Sequence, residues 1–84
     1  MKIINERIKV MPIFYPDKKI EAGKIEIIKF RFEDNVIWVK KVNKIYRENY
    51  AGNKRIVFVC QNPNGSLYEI KYELDTCEWY LFKK

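Results

Sequence analysis

From Leu67 to Leu74 apolar and charged residues alternate almost without a break: Tyr68, Ile70, Tyr72 and Leu74 on one side, Glu69, Lys71 and Glu73 on the other. A period of two is that of a β-strand, whose successive side chains point to opposite faces, so this stretch predicts a half-buried strand with a charged outer face. Ile28, Phe30 and Phe32 alternate with Lys29 and Arg31 in the same manner. Carried along the chain, the pattern predicts strands over 7–14, 24–32, 36–42 with an extension to 46, 55–61, 66–74 and 78–83.

Turn chemistry separates these runs. Tyr15-Pro16-Asp17-Lys18 and Asn62-Pro63-Asn64-Gly65 each place proline second, where its fixed φ suits a type I turn. Gly65 supplies the left-handed conformation that a bulged hairpin loop needs. Glu33-Asp34-Asn35 and Asp75-Thr76 are shorter polar breaks. In 84 residues this predicts one domain. The expected fold is all-β: a small five- or six-stranded antiparallel barrel, SH3-like or OB-like, built from consecutive hairpins and closed so that no long edge is exposed. Trp38, Val42, Ile45 and Asn49 also fall at helical spacing, which leaves a short basic helix as the alternative there. The β-branched Val36, Ile37, Val39, Val42 and Ile45 argue for a strand.

The chain contains no histidine, which removes the commonest general base and the Ser-His and Cys-His nucleophile pairs. Asp17, Asp34 and Asp75 fall in predicted turns, and Gly23, Gly52 and Gly65 are isolated, with no phosphate-loop pattern. The expectation is a non-enzymatic protein with no cofactor, no metal site and no small-molecule substrate. Cys60 and Cys77 lack the spacing of a zinc site and read as reduced thiols. No apolar run is long enough to span a bilayer, and charge interrupts the first residues too early for a signal peptide, so a cytoplasmic protein without membrane contact is expected.

Charge is distributed unevenly. Lys40, Lys41, Lys44, Arg47, Lys54 and Arg55 stand against Glu48 alone between residues 40 and 55, which accounts for +5 of the net +6. With Tyr46 and Tyr50 in the same stretch, these residues form a candidate nucleic-acid surface: cations neutralise phosphates and tyrosine rings stack on unpaired bases. The expected activity is weak, largely non-specific binding. Composition tempers the signal, because 13 lysines against 4 arginines, with 12 isoleucines, 7 asparagines and 2 alanines, is also what A- and T-rich codons spell. Arg47 and Arg55 with Tyr46 and Tyr50 carry the reading furthest, and if the four do not share one surface the nucleic-acid reading of this stretch falls. The competing expectation is a protein-interaction module or homodimer. Val57 and Val59, and Tyr80 and Phe82, oppose the apolar residues on the other face of their strands, and one barrel interior cannot take both sets.

Three segments suggest a family: Phe14-Tyr15-Pro16-Asp17-Lys18-Lys19-Ile20, the hairpin Phe32-Glu33-Asp34-Asn35-Val36-Ile37-Trp38-Val39 with Val42 following, and Tyr68-Glu69-Ile70-Lys71-Tyr72 with Trp79-Tyr80-Leu81. In these the chain resembles a group of short all-β proteins of low-GC Gram-positive bacteria. The resemblance implies a bacterial protein of that fold class and brings no catalytic or binding residues with it.

Overall fold

A computed structural model describes residues 2–15 and 25–84. The turn expected at Tyr15–Lys18 falls largely outside them. Among the described residues there is no helix, and seven strands form a single antiparallel sheet. The strands are β1 (Ile3–Phe14), β2 (Ile25–Phe32), β3 (Asn35–Trp38), β4 (Lys41–Tyr50), β5 (Asn53–Gln61), β6 (Leu67–Glu73) and β7 (Glu78–Lys83). Their order across the sheet is β3-β2-β1-β7-β6-β5-β4.

This order is two meanders placed side by side. One runs β1, β2, β3 and the other β4 to β7, and they join where Arg7 pairs with Tyr80 and Ile8 with Trp79. At the opposite ends one short link touches both: the Val39 N–H donates to the Ile28 carbonyl (3.0 Å) and the Lys40 N–H to that of Gln61 (2.8 Å). The free ends are thereby drawn toward each other, and the sheet curls into a half-barrel.

The same link corrects the strand count. The run expected as one strand over 36–42 is cut at Val39–Lys40 into β3 and β4, which makes seven strands where five or six were expected. The helical alternative is not realised: residues 41–50 pair along β5 as a strand. Further bending comes from register shifts, one at Met11/Pro12, where proline lacks the N–H that the ladder would use.

Two hairpins close in two residues. Glu33 and Asp34 (φ 51° and 62°) and Ala51 and Gly52 (φ 49° and 83°) all take left-handed backbone, the geometry that matches strand twist. The predicted turn at 62–66 is held by Asn62, whose Oδ1 accepts from the N–H of Asn64 (3.0 Å) and of Ser66 (2.8 Å).

The concave face holds the core. Phe30, Ile56, Phe58, Cys60, Ile70 and Leu81 are at most 2% exposed, and Trp79 stacks on Tyr72 with ring centroids 4.4 Å apart. Burying each large apolar side chain stabilises the fold by about 1.5–3 kcal/mol. The alternation read from Leu67 to Leu74 holds, except that Lys71, on the expected solvent face, is itself buried.

Candidate nucleic-acid interface

Strand alternation divides the basic stretch. Lys44, Tyr46, Glu48 and Tyr50 lie opposite Val59, Val57, Arg55 and Asn53, all on the convex face. Arg47 and Asn49 lie opposite Ile56 and Lys54, on the concave side. Arg55, Tyr46 and Tyr50 therefore share a surface and Arg47 does not join them. Lys40 sits in the link between β3 and β4, and Lys41 begins β4 opposite Gln61. The eight residues expected to line one groove are spread over two faces and a corner.

The convex members are also committed to neighbours. Arg55 Nε lies 3.0 Å from Glu73 Oε1 and Arg55 Nη1 3.7 Å from Glu48 Oε2, with the guanidinium 5.2 Å from the Tyr50 ring centre. Lys44 Nζ stands 5.1 Å from the Tyr46 ring centre. Burial, then the carboxylates of Glu69 and Glu48, push the Tyr46 hydroxyl pKa up, and that ring is half-buried. Tyr50, 63% exposed, is the aromatic of this stretch that a base could stack on.

The residues of the competing reading lie on the convex face, Val57 fully covered and Val59, Tyr80 and Phe82 in part. Val57 is 0% exposed beneath its cross-strand neighbours Tyr46 and Lys71. Lys71 Nζ lies 3.6 Å from the Phe82 ring centre and 3.0 Å from Glu48 Oε2, while Tyr80 donates to Glu78 Oε1 (3.2 Å). Val59, Tyr80 and Phe82 are half-buried. At Val57 and Phe82 the cover is the long side chain of Lys71 from the same sheet.

A different surface brings cations and exposed apolar groups together. On the convex face of the first meander, Lys9, Arg31 and Val36 form one row across three strands, and Met11, Lys29 and Trp38 form the next. Trp38 is 54% exposed, Met11 51% and Val36 44%, and Lys29 Nζ stands 4.7 Å from the Trp38 ring centre. A shallow depression of roughly 190 Å³ lies between Lys9, Met11, Lys29, Arg31 and Val36. The two rows contain three cations and no acid; Asp34 borders them beside Lys9 and Arg31, and Arg7, one row further, is paired with Glu78 at 3.1 Å. Glu26 lies at the far end, accepting a hydrogen bond from the Tyr15 hydroxyl.

Sequence reading missed this site because its residues are scattered over 9–38 and none forms a charge run. The signal was present in the turn. A two-residue loop at Glu33–Asp34 sets Arg31 against Val36 and Lys29 against Trp38. Among the described residues no group of acids and cysteines is placed to hold a metal, and no helix is long and apolar enough to cross a membrane. No protein-family model matches the chain, and neither the curated proteins nor the solved structures contain a match to it.

Proposed function

We propose that the protein is a non-enzymatic binding module for single-stranded nucleic acid, and that it uses the convex face of β1, β2 and β3. One observation carries this reading: Trp38 is half exposed beside Lys29, and Lys9 and Arg31 lie in the adjoining row of the same face. An unpaired base stacks on the indole whatever its identity, and the three cations take the flanking phosphates, so binding is tolerant of sequence. Met11 offers an adaptable apolar contact beside the ring. The charge of residues 40–55 contributes through the long-range field that draws polyanions to a protein of net charge +6.

Titration of a labelled single-stranded oligonucleotide at several salt concentrations tests the reading. Neutralising three phosphates gives a slope of about −2 in log affinity against log salt. Trp38→Ala should weaken binding by about tenfold or more. No binding at low salt, or binding that Trp38→Ala leaves unchanged, rejects it.

A further inference from the structure

The opposite end of the sheet poses a separate problem. β4 is the last strand in the order, and along Lys41–Tyr50 its outer edge has no strand partner among the described residues. An edge with no ladder among the described residues is a template for another extended chain. Beside it runs a cleft of roughly 360 Å³ between β4 and β2, lined by Ile25, Ile27, Val42 and Ile45, with two cations, Lys40 and Lys41, against one acid, Glu26. The link at Val39–Lys40 pins its narrow end. Val42 and Ile45 are only half-buried, whereas their β5 partners Cys60 and Phe58 are 0% exposed, so the core thins out toward this edge.

The charge on the edge restricts what can fill it. Lys41 and Lys44 project from β4, and the single acid of that strand, Glu48, is engaged by Lys71 and Arg55. A second copy of β4 would bring its own lysines against these two, and like charges across a strand pair are destabilising. The same charge attracts an acidic strand. The row of alternating backbone donors and acceptors suits a peptide, whereas a nucleic acid has no ladder to offer it.

We infer that the β4 edge is a docking site for an acidic, extended peptide segment, which adds to the sheet as an eighth strand and lays alternate apolar side chains over Val42 and Ile45. At this edge the lysines act in two ways: they keep copies of this chain apart and select an acidic partner.

Fluorescence anisotropy with a fluorescein-labelled decapeptide tests the inference. The probe alternates glutamate with valine or threonine. One control carries lysine in place of glutamate, and a second is the glutamate peptide N-methylated at alternate residues, which keeps the charge and removes ladder donors. The acidic peptide should bind about tenfold tighter than either control, lose this preference in Lys41→Glu/Lys44→Glu, and be unaffected by Trp38→Ala. Equal binding of the N-methylated peptide would reduce the contact to charge alone and overturn the inference. So would equal binding of the lysine peptide, or no binding of any of the three. If the double variant loses its β-sheet circular dichroism, Lys44→Gln reads the same contrast. Because oligonucleotide binding depends on Trp38 and peptide binding does not, failure of one assay leaves the other reading standing.

Discussion

The Lys71 ammonium stands 3.0 Å from the Glu48 carboxylate, and the two side chains reach each other from β6 and β4 across the intervening strand β5. Their meeting point lies over Val57, which accounts for a fully buried valine on the convex face. The Lys71 side chain is 9% exposed and that of Glu48 27%, so the pair is partly withdrawn from water. Glu48→Ala leaves both Lys71 and Arg55 without this partner and should cost about 2–3 kcal/mol. Lys71→Met keeps the stem over Val57 and removes the charge, so its cost should be about 1 kcal/mol or less. Urea denaturation of the two variants checks the order, which a purely electrostatic role for Lys71 would reverse.

The location of nucleic-acid contact can be read from salt dependence. Lys29→Gln removes one phosphate partner from the Trp38 patch and should reduce the magnitude of the salt slope by about 0.7. Lys44→Gln, on β4, should leave the slope unchanged. Equal effects of the two substitutions would indicate a diffuse field in place of a site.

The two thiols should differ sharply in reactivity. Burial pushes the Cys60 thiol pKa up to about 12, and the residue is 0% exposed, whereas Cys77 is exposed in the turn before β7. A thiol reagent near pH 8 should modify Cys77 promptly and Cys60 only as fast as the chain unfolds. Mass spectrometry of partly labelled protein distinguishes the two.

The same burial makes the fold sensitive to alkali. Tyr72, like Cys60, has its pKa pushed up to about 12, first by burial and then by a hydrogen bond to Cys77 and the charge of that group. The folded chain holds both protons to higher pH than the unfolded chain does, so unfolding releases protons there. The contribution is complete below the ordinary values, 9.0 for the thiol and 10.0 for the phenol, and is lost as pH rises toward about 12. Urea midpoints should fall steadily above about pH 9, and Tyr72→Phe should flatten part of that decline.

At the 62–66 turn one side chain adds two hydrogen bonds to the two that the backbone makes. Asn62→Ala removes the acceptor for two N–H groups and should destabilise by about 1 kcal/mol, while Asn62→Asp, which retains the oxygen, should cost less. Gly65 has φ +88° with open space around its Cα, so Gly65→Ala should cost about 1 kcal/mol through backbone strain alone. Thermal denaturation is sufficient for both.

Alternation made most of the strands readable, because every strand with one face in the core needs apolar residues at a spacing of two. It misjudged Val36–Lys41, since the residues that break the strand, Val39 and Lys40, carry no turn signature and change partners through two backbone hydrogen bonds. The candidate site was less legible. A charge run is visible in one dimension, yet a strand sends neighbouring residues to opposite faces, which separates Arg47 from Tyr46. The Trp38 patch is assembled across three strands and becomes visible only when the Glu33–Asp34 turn is used to align them. The burial of Lys71 had no signal in its own strand: it depends on Glu48, 23 residues away.

The pairing of β1 with β7 has a consequence for how the chain folds. Each meander consists of neighbours in sequence, so its hairpins can form early and close at hand. The ladder between Arg7 and Tyr80 joins positions near opposite ends of the described chain, and bringing them together carries the largest loop-closure entropy in the sheet. Folding should therefore be rate-limited by docking of the two meanders, with Ile8 and Trp79 at the seam. Substitutions in that seam would slow folding, whereas those in the outer hairpins would mainly speed unfolding.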